Sequence, residues 1–366
     1  MLGGLALVAC ASPGTPPGGP VDTQAPEIVR IAPDSGRTGV TPRSVIFRFD
    51  EVVSERPAGA ASLNALFLIS PRDGEPRVGW GRNEIAVRPR RGWKPNTAYT
   101  ITLLPGLTDL RGNVRNTGAV MVFSTGQTIP EGRITGTVFD WAEGRILQRA
   151  LIEARPRADT TTVYVTATDS AGTFTIGNLA GGDYEVRGIA DTNNNRALDP
   201  REAWDSVSVS LTDSARIEVL AFVHDSIGAR LTSVTVTDSV TLDLRFDNPL
   251  SVSSPLSPAN VRVLAADSAP VPIISVSPPA ADTAVAGRVL PSRPLPPRTI
   301  IVKLDRQLQP GAEYRVSVID AVNLIGISRS SDRLVKGPAP APPPAAADTS
   351  RAPVATPQPP PPPRPR

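Results

Sequence analysis

The feature that most constrains this chain is an internal repeat. Phe47-Arg48-Phe49-Asp50-Glu51-Val52-Val53-Ser54 is matched by Leu244-Arg245-Phe246-Asp247-Asn248-Pro249-Leu250-Ser251. Further on, Trp93-Lys94-Pro95-Asn96-Thr97-Ala98-Tyr99 is matched by Leu308-Gln309-Pro310-Gly311-Ala312-Glu313-Tyr314, and the tyrosine-bearing segments lead to Gly112 and Gly326. Around these landmarks lie short alternating runs, among them Ser44-Val45-Ile46-Phe47-Arg48-Phe49 and Thr97-Ala98-Tyr99-Thr100-Ile101-Thr102-Leu103, bounded by Pro, Gly, Asn and Asp. Alternation of this kind, with almost no helical period, marks half-buried strands. Many short strands at this spacing pack as two facing sheets, so the chain reads as all-β, with tandem β-sandwiches. The apolar-x-Pro-x-x-x-Tyr step has a mechanical meaning. Proline opens a turn, the chain re-enters a strand, and the tyrosine ring packs inward while its hydroxyl finds a backbone partner at the corner.

The repeat sets the domain plan. One sandwich is expected over 26–127 and a second, divergent one over 228–336, with a Pro/Ala-rich insert in the latter. A different unit lies between them at 131–222. It opens with Gly132-Arg133-Ile134-Thr135-Gly136-Thr137-Val138, continues through Asp169-Ser170-Ala171-Gly172-Thr173-Phe174, and reaches Leu179-Ala180-Gly181-Gly182-Asp183-Tyr184. That progression resembles the carboxypeptidase regulatory-like (transthyretin-like) β-sandwich. The repeated units resemble the bacterial Ig-like domain of the SbsA type, found in S-layer and surface proteins. Gly79-Trp80, Asn96-Thr97-Ala98-Tyr99 and Asp109-Leu110-Arg111-Gly112-Asn113 make the first copy the better match. The resemblance implies a surface or envelope protein and carries no settled activity.

Composition narrows the chemistry. The chain has 366 residues, one histidine and one cysteine. A zinc site usually needs four N/S ligands, or three plus water, and a Ser-His-Asp device could use only His224. No dinucleotide fingerprint or phosphate loop is present. Net charge is +3, and the Arg, Asp and Glu residues are interspersed without a basic block, so a nucleic-acid partner is not indicated. The expectation is that the protein is not an enzyme.

The single cysteine excludes an internal disulfide and directs attention to its neighbourhood. Met1 to Ala9 is a short apolar run ending in small residues, then Cys10. Such a run has the form of a secretory signal, and Leu7-Val8-Ala9-Cys10 resembles the bacterial lipobox. The resemblance implies a lipoprotein signal peptide over 1–10, lipidation of Cys10, and a membrane partner through the lipid anchor. Ala11 follows the cysteine where inner-membrane retention signals carry Asp, which favours the outer membrane, on its periplasmic or cell-surface side. Residues 11–25 read as a flexible Pro/Gly/Ser/Thr tether. Residues 337–366, which hold 13 of the 41 prolines, read as a disordered tail with polyproline II character.

One loop carries the spacing of a metal site. Counted from Asp191 as position 1, side-chain oxygens fall at 1 (Asp191), 3 (Asn193), 5 (Asn195), 9 (Asp199) and 12 (Glu202), with the Ala197 carbonyl at 7. This is the oxygen pattern of the EF-hand calcium loop, here grafted between strands. Arg196 stands at position 6, where glycine is expected because the backbone there is left-handed. The competing reading is an Asx-turn loop that satisfies its own backbone. If Ca²⁺ is held, the cofactor role is structural.

Other constellations read as structure. His224-Asp225-Ser226 places triad residue types on an extended segment whose successive side chains point to opposite faces. Asp50-Glu51 is echoed by Asp247-Asn248, which argues for a repeated corner. Trp80, Trp93, Trp141 and Trp204 are scattered and read as core. Two function classes remain: a scaffold of the cell envelope that contacts an envelope protein or glycan, or a glycan-binding or accessory module of an extracellular degradative system.

Overall fold

The computed structural model describes residues 20–280 and 289–339. Cys10, the signal segment, the tether up to residue 19 and the tail from residue 340 lie outside the described residues. The described parts of Met1–His224 and Thr283–Leu295 form one compact unit, and those of Asp225–Asp282 and Pro296–Arg366 form a second. Among the described residues, no helix is long and apolar enough to cross a membrane.

The first sandwich is built from β1 (Ile28–Ala32), β2 (Val45–Phe49), β3 (Phe67–Ser70), β4 (Arg77–Trp80) and β5 (Glu84–Arg88). It continues with β6 (Ala98–Leu103), β7 (Leu107–Thr108), β8 (Val114–Arg115) and β9 (Ala119–Ser124). One sheet runs β1-β2-β5-β4 and the facing one β3-β6-β9, with β7-β8 as a separate small ribbon. The alternation seen in the sequence is the inward face: Val45, Phe47 and Phe49 from β2 meet Tyr99, Ile101 and Leu103 from β6, all buried. Trp93 closes this core, its ring 4.8 Å from that of Tyr99 and 4.9 Å from that of Phe123.

The middle sandwich contains β10 (Gly132–Asp140), β11 (Arg145–Ile146), β12 (Leu151–Pro156) and β13 (Tyr164–Ala167). Its remaining strands are β14 (Thr173–Leu179), β15 (Gly182–Ile189), β16 (Ala203–Leu211) and β17 (Ser214–Val223). The strand order is β11-β10-β17-β16-β15-β12-β13, with β14 pairing β10. β10 and β17 run parallel, and β16 meets β17 only at Ala203–Val223 and Trp204–Phe222, so the path turns a corner and encloses a core. Gly136 explains the small residue in the opening motif: a Cβ there would collide with the Ile217 carbonyl and the Phe174 ring.

The third sandwich contains β18 (Leu231–Asp238), β19 (Thr241–Phe246), β20 (Val261–Ala265) and β21 (Ile273–Ser277). Then come β22 (Thr299–Leu304), β23 (Glu313–Val322) and β24 (Ser328–Lys336). Its sheets run β18-β19-β22-β21 and β20-β23-β24, the same order as in the first sandwich. The sequence repeat is therefore a repeat of topology. In both copies the tyrosine accepts a backbone hydrogen bond from the residue five positions upstream: Lys94 N–H to the Tyr99 hydroxyl at 2.7 Å, and Gln309 N–H to that of Tyr314 at 2.8 Å. Gly112 and Gly326 both adopt positive φ, at 92° and 88°.

Candidate functional site

The loop at 191–202 leaves β15 and returns to β16, which pair antiparallel from Ile189–Trp204 onward. Its oxygens are turned onto the loop's own donors. Asp191 accepts from Asn195 N–H at 3.0 Å and from Arg196 N–H at 2.9 Å. Asn193 Oδ1 also accepts from Asn195 N–H, and Asn195 Oδ1 accepts from Ala197 N–H. Asp199 Oδ2 receives the side-chain amides of Asn193 at 2.6 Å and Asn195 at 3.0 Å. Glu202 is buried, with Oε1 accepting from Thr192 N–H and Oε2 from Asp199 N–H. Burial pushes the Asp191 carboxyl above its ordinary range, and Glu202 adds to the rise while the Arg196 and Asn195 N–H groups oppose it.

At one position, the sixth, the loop backbone is left-handed as the spacing leads one to expect. Arg196 at position 6 takes φ 57°, the left-handed value that a glycine would adopt freely. The side chains are arranged as an Asx-turn network. The three loop carboxylates do not converge as the spacing suggested. Among the described residues, the one group of three acidic, His or Cys ligand atoms lying within 4.8 Å of one another is Asp22, Glu51 and Asp109.

That second cluster was not singled out in the sequence, although the Asp50-Glu51 pair was. Asp50 accepts from Glu27 N–H at 2.8 Å, and Asp247 from Arg230 N–H at 2.7 Å, so this pair of aspartates is a repeated structural corner. Asp109 is buried and accepts from the Arg111 and Asn113 N–H groups and from the Asn113 amide. Burial alone would raise its pKa, but these hydrogen bonds outweigh it and hold the carboxyl below the ordinary range. Glu51 is pushed up, first by burial and then by Asp109, Asp22 and Asp50. A signal for the cluster existed in the repeat, where the position of Glu51 carries Asn248.

His224 lies flat between Trp204, 4.0 Å away, and Phe222, 4.4 Å away, and its Nδ1 faces the Phe222 carbonyl. Burial lowers its pKa. The Asp225 carboxylate is taken up by Ile227 N–H and the Asn248 amide. The residue types of a triad are thus spent on stacking and turn formation. Trp141 is buried and Trp93 packs on the core, as expected. Trp80 departs from the core reading. It is 40% exposed, and its indole N–H donates to the Val53 carbonyl. The exposed end of β4 explains the difference, since that strand lies at the sheet edge. Trp204 is half-buried, with the Arg187 guanidinium 4.9 Å from its ring.

No curated protein matches the sequence. The chain is similar to the N-terminal part of the bacterial S-layer protein SbsC, at 18% identity and a TM-score of 0.24, over 32% of this chain and 25% of that one. It thus spans a quarter of that structure's length. It is similar to a candidate carbohydrate binding protein from Bacteroides uniformis at 12% identity and a TM-score of 0.20, over 57% of this chain and 99% of that one. An L,D-transpeptidase from Mycobacterium smegmatis matches at 14% identity and a TM-score of 0.20, over 54% of this chain and 76% of that one. Likenesses at this level carry no argument about function. The family model of the bacterial Ig-like domain matches residues 22–125. Its span begins just before β1 and ends just after β9, enclosing both sheets of the first sandwich. The segment that matches the bacterial Ig-like domain, residues 22–125, is the first of the tandem β-sandwiches of this chain.

Proposed function

We propose that this chain is a non-enzymatic scaffold of the cell envelope, held at the outer membrane by lipid on Cys10. Its sandwiches would space or display their loops toward an envelope protein or glycan. The carrying observation is where the polar side chains go. In both Ig-like copies the buried acids and amides close corners and turns. The one histidine is stacked between rings. A glycan-binding reading would need two or more exposed aromatic rings on one sheet face. Among the described residues, Trp80 is the one exposed tryptophan, and Tyr99, Tyr184 and Tyr314 are buried. That leaves the scaffold as the better-supported reading.

The test uses intact cells. Labelling with radioactive palmitate is expected to mark the wild-type chain and not Cys10→Ser, with the labelled protein recovered in the outer-membrane fraction. Equal labelling of both proteins, or none of either, would remove the anchor. Crosslinking in the same cells is expected to recover an envelope component with the wild type. Purified chain that hydrolyses a glycan or peptide would overturn the non-enzymatic reading.

We also propose that the 191–202 loop accepts Ca²⁺ as a structural ion, through Asp191, Asn193, Asn195, the Ala197 carbonyl, Asp199 and Glu202. The left-handed backbone at Arg196 supports this reading. Binding would require the carboxylates to exchange internal donors for the ion. Calcium is expected to raise the melting midpoint of the wild type over chelator, and to leave Asp191→Ala unmoved. An equal midpoint for the wild type in both conditions disposes of the ion.

A further inference from the structure

We infer that the 191–202 loop is a clasp that fixes the first and middle sandwiches as one rigid body, with Arg196 as its pin. Arg196 extends out of its own sandwich and donates Nη1 to the Phe67 carbonyl at 2.7 Å. Its Nη2 donates to the Ala65 carbonyl at 2.5 Å and reaches the Asn64 carbonyl at 3.4 Å. These acceptors belong to the 3-10 turn Asn64–Leu66 and the start of β3 in the first sandwich. A guanidinium presents its donors in a fixed planar fork, so several carbonyls at once set its direction as well as its position. Burial lowers its pKa, with Asp191 and Glu75 opposing the shift and Arg72 adding to it.

The first sandwich reaches back. Arg72 donates Nη1 to the Arg196 carbonyl at 2.7 Å, and its Nη2 pairs with Glu153. Glu153 is 2% exposed and also holds Arg155 at 2.8 Å, so the middle sandwich keeps a buried carboxylate pointed at the joint. Removing one partner of such a pair leaves a buried charge uncompensated.

Main chain joins the side chains in this contact. Arg72 N–H donates to the Val163 carbonyl at 2.8 Å, a bridge between the two sandwiches. Val165 N–H donates to the Ser70 hydroxyl at 2.9 Å. β3 is the edge of its sheet and β13 the edge of the middle one, so the joint covers two strand edges that would otherwise present unpaired groups. At a third point, the Asn178 amide donates to the Thr100 hydroxyl at 2.9 Å. Backbone, neutral side-chain and ionic contacts therefore all span the joint. The residue at position 6 also has a reason to be arginine. Glycine would relax the backbone there, and arginine accepts a left-handed φ while supplying the pin.

The clasp acts through carbonyls of the first sandwich, so it stands whether or not the loop holds calcium. The test measures distances by electron spin resonance between labels at Asn116→Cys and Thr212→Cys, both exposed, in the full chain carrying Cys10→Ser. A single narrow distribution is expected. Arg196→Gly keeps the left-handed backbone and deletes the guanidinium, and Arg72→Met removes the return contacts. Each is expected to broaden the distribution, the double variant most of all, with the near-ultraviolet circular dichroism of the sandwiches retained. Arg196→Lys, which keeps the charge without the fork, is expected to broaden it as well. A broad wild-type distribution overturns the proposal without recourse to any variant, and so does a double variant as narrow as the wild type. Repeating the measurement with calcium and with chelator separates the two readings: loss of the narrow peak in the arginine variants under both conditions supports the clasp even where calcium changes nothing.

Discussion

The first and third sandwiches share strand order, tyrosine corner and aspartate corner, yet they settle the same crossing in opposite ways. In the first, Asp22, Glu51 and Asp109 bring three carboxylates within 4.8 Å of one another. The hydrogen bonds align these with Asp225, Asn248 and Asn323 in the third. Asp109 and Asn323 each cap two N–H groups of the following turn, Arg111 and Asn113 in one copy, Ile325 and Ile327 in the other. Each also bridges to the strand end after the aspartate corner, Val53 to Asp109 and Leu250 to Asn323. In the third sandwich the amides close the crossing. Asn248 donates to the Asp225 carboxylate at 2.9 Å, and Asn323 to the Asp225 and Ile227 carbonyls at 2.7 and 3.0 Å. In the first, Asn113 supplies the bridging amide, donating to the Asp22 carbonyl at 3.1 Å and to Asp109 at 2.8 Å. One fold thus tolerates both an amide-closed and a charge-crowded version of a single corner. The geometry of the corner is set by the acceptor role of the capping residue, and its net charge is free to vary.

The largest expected contrast comes from removing that cap. Asn323→Ala deletes two acceptor contacts and two donor contacts at a buried position, and is expected to cost about 2–3 kcal/mol. Asp109→Ala deletes its acceptor contacts but also relieves repulsion from Glu51 and Asp22, and is expected to cost about 1–2 kcal/mol. Hydrogen exchange read separately in peptides covering β19 and β2 reports the two losses in one molecule. A cost at Asp109 equal to or above that at Asn323 breaks the comparison, because crowding would then contribute nothing.

Much of this architecture was legible in the residues. The alternation in 45–49 and 98–103 gave the buried faces directly, because a strand has a period of two and each sandwich has one core. The apolar-x-Pro-x-x-x-Tyr step located both tyrosine corners, since a turn opened by proline leaves the ring and hydroxyl few other places to go. Position 6 of the loop at 191–202 was legible as a left-handed residue. What could not be read was what Arg196 does. Its partners are main-chain carbonyls, which every residue carries, so no residue type at 64–67 marks the acceptor. The carboxylate crossing was half-legible. Glu51 against Asn248 stood in the repeat, but Asp22 and Asp109 lie far from it along the chain and meet it only in the folded sandwich. Trp80 was misplaced because hydrophobic identity does not distinguish a central strand from an edge.

A smaller effect sharpens the comparison most, because it isolates charge. Glu51→Gln turns the first corner toward the amide-closed form and is expected to stabilise the first sandwich at pH 7 by about 0.5 kcal/mol, the scale of one like-charge contact. The reciprocal Asn248→Glu is expected to destabilise the third by a similar amount, since it faces the Asp225 carboxylate in place of donating to it. The pH dependence follows from the raised Glu51 pKa. Its folded form holds a proton more tightly than the unfolded chain, so its contribution is fully present below its ordinary value near 4.5 and is lost as pH rises through the higher folded value. Asp109 has the opposite sign. Its contribution is present above its ordinary value near 3.8 and is lost as pH falls through the lower folded value. The first corner is therefore expected to be at its firmest in the mildly acidic range between these two losses. There the advantage of Glu51→Gln should vanish, because the wild-type glutamate is itself protonated. In the third corner the positions of Glu51 and Asp109 are held by Asn248 and Asn323, whose amides do not titrate, so neither of these two losses arises there. Denaturation midpoints of wild type and Glu51→Gln across this range make the check. An advantage that persists undiminished at pH 4 would mean that the glutamine helps through packing, and that the carboxylate crowding in the first sandwich costs it nothing.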